Sequence, residues 1–231
     1  VRGGGGLVVL LEPIDPRGLD PLAESMVRYG VEVGNDLVLE IDPRRDMAGF
    51  DSSYLVLDSS SFDFHPIAED LHSMILMQGV RSVSVGDPVE GVQVQVLART
   101  TDQGWAETDL QGIMEGRPVG PDEGLETVGS VGVIALATLS GTEGKVAVFG
   151  DADFASNALV LQGLNHDLFL NTIAWMVGEE DQVSVRRNDN ADGSLEVTTA
   201  QLRLTWVVSL LLVPGLALLA ALGTWFRRRR L

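Results

Sequence analysis

Two aspartates at the end of an apolar run are the residues whose type and spacing come nearest to chemistry. Gly150, Asp151, Ala152 and Asp153 follow directly on Val146 to Phe149, with Phe154 to Leu161 expected to be helical after them. In an open α/β sheet the carboxyl ends of strands border the ligand crevice, and two carboxylates there could hold Mg²⁺ or Ca²⁺. Such cations need a third and a fourth oxygen, and none stands nearby in the sequence. The structural reading therefore takes precedence: Asp151 shapes the turn and Asp153 caps the following helix through its side-chain oxygen.

Other reactive types offer less. His65, His72 and His166 include two residues seven apart, but no H-E-x-x-H or other zinc spacing is present. His65 before Pro66 reads as a turn residue, and His166 as part of the first turn of a helix. The chain has no cysteine, which removes disulfides, thiolate metal sites and a cysteine nucleophile. No G-x-S-x-G elbow exists, and Ser59 to Ser61 read as a strand-ending loop. The glycines at 3 to 6 precede a strand instead of following one, and Gly144-Lys145 continues into Val146, so no phosphate loop is formed. No cofactor is expected.

Charge excludes a further class. Lys and Arg total 16 against 33 acidic residues, a formal charge of −17. Lys145 is the single lysine and four of the arginines stand together at 227 to 230. Nucleic acid binding needs clustered cations to displace counterions, so no nucleic acid partner is expected.

The elements that must position these residues read as alternating strands and helices. Leu7 to Leu11 is a buried strand, Asp20 and Pro21 suit the cap and first position of a helix over 22 to 29, and Gly30 suits its left-handed end. Short strands follow at Val31 to Val33, Leu37 to Ile41 and Tyr54 to Leu57, then a helix over 67 to 74 and extended segments through Val85 and over Val92 to Leu97. Thr100 to Thr127 reads as a long surface excursion anchored by Trp105. Strands at Val131 to Leu139 and Val146 to Phe149 flank a turn, and Asn165 caps a helix that Gly178 ends. This order predicts an α/β domain over 1 to 180, with a mixed or mostly parallel sheet and flanking helices, and a polar connector over 181 to 203.

Leu204 to Phe226 carries no charged residue, and 23 helical residues would span roughly 34 Å against a hydrocarbon core of about 30 Å. Leu204, Trp206, Pro214, Gly215, Trp225 and Phe226 mark a predicted transmembrane anchor, and Arg227, Arg228, Arg229 and Arg230 a stop-transfer tail over 227 to 231. The expectation is a bacterial cytoplasmic-membrane protein with its main domain outside, its C-terminus inside and the lipid bilayer as a partner. The abrupt start at Val1 predicts a fragment or a processed chain.

Several segments resemble the GldG-type family, auxiliary proteins of ABC transport systems named for gliding motility. They are Gly5-Gly6 with LVVLLEP (7 to 13), YGVEVGNDLVLE (29 to 40), HPI (65 to 67), RTTDQGWAETDL (99 to 110), VAVFGDADFASN (146 to 157) and NHDLFLNTIAWMVGEED (165 to 181). The resemblance implies an extracytoplasmic domain with a glutamine-amidotransferase-like α/β fold, tethered by the C-terminal helix and associated with an ABC permease and ATPase. It also implies an N-terminal transmembrane helix and further extracytoplasmic sequence that this chain lacks, and marks the stretch around Trp105 and Glu107 as recurrent. An amidotransferase of that fold needs a cysteine, so the expected function is a non-catalytic scaffold or ligand-binding subunit. The alternative is an envelope carbohydrate- or peptidoglycan-binding module or hydrolase that uses the strand-end carboxylates.

Overall fold

The computed structural model describes residues 1–12, 20–41, 53–122 and 124–178, with Gly215, Leu222, Trp225, Arg228 and Arg229 as single positions beyond them. The chain divides into two compact units, Val1–Val185 and Arg186–Leu231.

In the first unit the described strands are β1 (Gly6–Leu10), β2 (Val31–Val33), β3 (Leu37–Glu40), β4 (Tyr54–Leu57), β5 (Ile75–Gln78), β6 (Val83–Val85), β7 (Val92–Arg99), β8 (Gly104–Glu107), β9 (Gly132–Leu139) and β10 (Lys145–Phe149). The described helices of this unit are α1 (Pro21–Met26), α2 (Leu110–Met114) and α3 (Asn165–Val177). A four-stranded sheet in the order β1-β10-β9-β7 forms the centre, and β2-β6, β3-β8 and β4-β5 form three two-stranded sheets around it. Only β1 and β10 pair in parallel among these strands. Backbone bonds through the segment after β5 tie β3 towards the centre: the Val38 amide donates to the Val80 carbonyl, and the Arg81 amide to the Gly150 carbonyl at the end of β10 at 2.8 Å.

The period of two along the central strands sends side chains to two cores. Ala147 and Phe149 of β10, with Ile134 and Leu136 of β9, face α3 through Leu168 and Trp175 and also meet Ile67, Leu71 and Phe154. Val146 and Val148, with Ala135, Ala137 and Leu139, face Met26, Val31 and Val83. Both faces of the central sheet are therefore covered, which is why its strands read as nearly unbroken apolar runs. α3 lies close over β1: a Cβ placed on Gly6 would come within 2.9 Å of the Met176 sulfur.

The α/β expectation is corrected by this architecture. The chain is strand-dominated, in small and mainly antiparallel sheets. A parallel pair needs a crossover connection of a dozen or more residues, but β9 and β10 are joined by a tight turn, and several intended crossover helices do not form. The 67 to 74 helix is a single 3₁₀ turn over Pro66–Ala68, capped by His65, after which the chain turns again so that Leu71 enters the core beside Ile67. The 154 to 161 helix is a 3₁₀ turn over Asp153–Ala155, ended by an extended Ser156. The 100 to 127 excursion is also revised, because Gly104, Trp105, Ala106 and Glu107 are all buried as β8 against β3.

The membrane expectation is corrected as well. Among the described residues no helix is long and apolar enough to cross a membrane. α3, at 13 residues, is the longest helix among them and reaches only about 20 Å. The predicted transmembrane anchor and the cytoplasmic-membrane location derived from it are not supported. Leu204, Trp206, Pro214, Phe226, Arg227 and Arg230 lie outside the described residues. Gly215, Trp225, Arg228 and Arg229 are helical, with the Arg229 guanidinium 4.7 Å from the centre of the Trp225 ring.

Candidate functional site

Parallel β1 and β10 end side by side, and their exits bring Glu12 and the Gly150–Asp153 turn together. The turn forms because β10 ends against the segment after β5. The Gly150 carbonyl accepts from the Arg81 amide at 2.8 Å, and a Cβ on Gly150 would sit 2.1 Å from the Arg81 carbonyl oxygen. No side chain fits between two backbones this close. Gly150→Ala is expected to lower stability by about 2–3 kcal/mol as an overpacking change, read as a reduced denaturant midpoint with an unchanged slope.

Asp151 is wholly buried. Its Oδ1 accepts from the Asp153 amide at 2.7 Å, and its Oδ2 accepts from the Gln78 and Phe154 amides, both at 3.1 Å. Burial pushes this carboxyl up to about 7, against the pull of the three amides, with the charge of Asp153 adding to the rise. Asp151 thus clamps β5 to the turn after β10. It also caps the 3₁₀ turn by binding the Phe154 amide, the role the sequence reading gave to Asp153. Asp153 is the first residue of that turn and half-buried. Burial first, and Asp153 second, raise the Glu12 carboxyl. Among the described residues no group of three or more His, Cys, Asp or Glu is placed to hold a metal ion. The weak metal candidates Asp151 and Asp153 are therefore a clamp and its neighbour.

The histidines are dispersed among separate tasks. His65 Nδ1 accepts from the Ile67 amide at 3.2 Å, and its ring meets Trp175 edge-on at 5.2 Å. His72 is exposed, 3.8 Å from Asp70, and His166 lies in the first turn of α3. Ser59–Ser61 form a 3₁₀ turn capped by Asp58, with Ser61 Oγ accepting from the Asp58 amide at 3.3 Å. Ser61 serves as a capping group, and Ser60 donates to Asp58 Oδ1 through its amide and hydroxyl.

Three buried polar arrangements escape the sequence reading. Arg81, 3% exposed, donates through Nε to the Gly34 carbonyl at 2.8 Å and through Nη1 to Asp20. Burial pushes the Asp20 carboxyl up, but the Ala23 amide and the Arg81 guanidinium outweigh it and hold it below the usual range. Asp36 accepts from the Ser82 amide and hydroxyl at 2.8 and 2.6 Å, which only partly offsets the upward push of its burial. Gly34 is required here, since a Cβ would lie 1.9 Å from Asp36 Oδ2. Asn165, expected to cap α3, instead turns inward. Its Nδ2 donates towards the carbonyls of Leu76, Phe154 and Leu159 at 2.7, 3.2 and 3.0 Å, and its Oδ1 accepts from the Leu76 amide at 2.9 Å. The third arrangement lies at the β8 end, where Glu107 accepts from Trp105 Nε1 at 3.3 Å and from the Asp109 amide at 2.8 Å. A polar residue at the start of an apolar helix was a visible signal for Asn165, but nothing local points to its partner strand.

Together these features define a strand-rich domain in which Asp151, the buried carboxylate at the end of β10, is committed to holding the domain's own backbone. No protein-family model matches the chain, and no curated protein matches it. The ABC-auxiliary and gliding-motility labels therefore have no family model behind them. Among solved structures the chain is similar to the mmIFT52 N-terminal domain, with a TM-score of 0.53 and 16% identity over 75% of this chain. The match spans 65% of that chain, just under two thirds of its length. At this identity the likeness concerns the fold alone.

Proposed function

We propose that this chain is a non-catalytic accessory domain of a GldG-type ABC transport system, offering a scaffold or ligand-binding surface to a permease and an ATPase. The observation that carries the non-catalytic part is Asp151: the residue best placed for chemistry is fully buried, with both oxygens taken by backbone amides. A hydrolytic pair needs two carboxyls facing across a scissile bond, roughly 5–9.5 Å apart. Here the amide of one aspartate donates to the carboxyl of the other.

The ABC association rests on the resembling segments, which coincide with the framework of the domain. LVVLLEP supplies β1 and its exit, VAVFGDADFASN supplies β10 and the Asp151 clamp, and NHDLFLNTIAWMV is α3. The test is affinity purification of the full-length tagged protein from its native cells after cross-linking. Co-recovery of permease and ATPase subunits is expected; recovery of the protein with neither one overturns the proposal.

A further inference from the structure

α3 covers the central sheet with one face, and its other face is apolar too. Leu168 and Trp175 are buried in the core, and Phe169 and Met176 pack against it. Leu170, Ile173 and Val177, spaced three and four apart, form a stripe on the opposite side of the helix and are 48%, 38% and 64% exposed. The helix carries no Lys or Arg, and Asp167 is its one carboxylate. A surface helix ordinarily turns charged residues to water, and one that is apolar all round is ordinarily buried all round.

One flank of this stripe is acidic. Asp167, its side chain 46% exposed, stands one turn before Asn171, whose Nδ2 donates to the Ile67 carbonyl at 2.9 Å. That bond holds the 3₁₀ turn Pro66–Ala68 along the same flank, and Glu69 and Asp70, both exposed, follow the turn directly. Residues 61 to 72 include no Lys or Arg to neutralise them. Lys145, towards the other end of α3, is held there, donating to the Trp175 carbonyl at 2.7 Å with its Nζ 5.1 Å from the centre of the Trp175 ring.

We propose that the outer stripe of α3 docks an amphipathic helix of a partner protein, apolar on one side and edged with Lys or Arg. The apolar side chains of that helix interdigitate with Leu170, Ile173 and Val177, and its cations face Asp167, Glu69 and Asp70. Charge selects this occupant. A second copy would bring together two chains of formal charge −17, across three partly exposed side chains that offer far less than the about 800 Å² per partner of a standard interface. An anionic lipid surface would be repelled in the same way, whereas a cationic helix gains attraction where the others lose it. The small apolar contact makes the complex a transient one. The inference does not rest on the transporter reading, and a synthetic partner tests it separately from any co-purification of permease and ATPase.

The probe is a synthetic peptide of about 18 residues, long enough to be helical alone, with Leu at helical three-and-four spacing and Lys elsewhere. Calorimetric titration into the full chain at low salt is expected to show micromolar binding. Leu170→Ser with Ile173→Ser should weaken it about tenfold, since each change forgoes roughly half the burial of a full apolar side chain. Asp167→Asn with Glu69→Gln and Asp70→Asn should weaken it about fivefold, as three exposed ion pairs would. Thermal melts check that the variants stay folded; if the double serine variant melts early, Val177→Ser alone carries the test with about threefold weakening. The proposal is overturned if no binding is seen, if the serine variants bind as the wild type does, or if a peptide with Glu in place of Lys binds equally well. It is also overturned if the wild type, and not the serine variant, sediments as a dimer or with phosphatidylglycerol vesicles, because the stripe then serves a second copy or a lipid surface.

Discussion

Asp151→Ala is expected to lower the unfolding free energy by about 3–5 kcal/mol at pH 5, measured by denaturant titration. Three backbone amides lose their acceptor, at about 1–3 kcal/mol each, and the Gln78 and Asp153 amides recover part of that from water. The cost is also expected to depend on pH. Asp151 titrates at about 7 in the fold against an ordinary 3.8. A raised carboxyl contributes stability that is complete below its unfolded pKa and lost as pH rises through its folded one, because the buried form is the protonated one. The gap between wild type and Asp151→Ala should therefore narrow by about 3 kcal/mol from pH 5 to pH 8, at about 1.4 kcal/mol per unit up to the folded pKa. A gap that stays constant over this range would mean that the carboxyl is ionised throughout and that its three amides outweigh its burial.

The second large effect belongs to Asn165, and the informative variant is aspartate. Asn165→Ala removes a fully buried side chain that binds β5 on both its amide and its carbonyl and also reaches Phe154 and Leu159, for an expected loss of about 3–5 kcal/mol. Asn165→Asp keeps the shape but replaces the donating Nδ2 with an oxygen facing three carbonyl oxygens. It should be at least as destabilising as alanine at pH 8, and should recover part of the loss at pH 4, where a protonated carboxyl can again donate to one carbonyl. Thermal melts of the two variants at both pH values decide this. An aspartate variant more stable than alanine at pH 8 would show that the Nδ2 bonds are not what holds the site.

Much of the local structure was legible. Asp20 binds the Leu22 and Ala23 amides at 3.0 and 3.1 Å, Pro21 opens α1, and Gly30 ends the following turn with φ of 68°, all as the types and spacing require. The strands at 6–10, 31–33, 37–40, 54–57, 132–139 and 145–149 follow the apolar runs, and α3 ends at Gly178. Capping, periodicity and turn formation act between residues a few positions apart, so types and spacing carry them.

The errors concern distant partners. Trp105 to Glu107 read as loop because the surrounding Gly, Asp and Glu are turn formers, and only pairing with β3, more than sixty positions away, makes that stretch a buried strand. His65-Pro66 and Asp153-Phe154 looked like helix starts, and each yields only a 3₁₀ turn because Ile67 and Phe154 are drawn into the core beneath α3. The apolar run at 204 to 226 is a fact of composition; the step from it to a membrane span is the one the described helices do not support.

By itself, then, the sequence determined an acidic, cysteine-free chain with its strands, caps and one well-formed helix, because those follow from short-range chemistry. The tertiary structure decided that Asp151 and Asn165 face inward as clamps. Their partners lie 73 and 89 positions away, and whether a polar side chain meets solvent, metal or backbone depends on which distant strand is packed beside it.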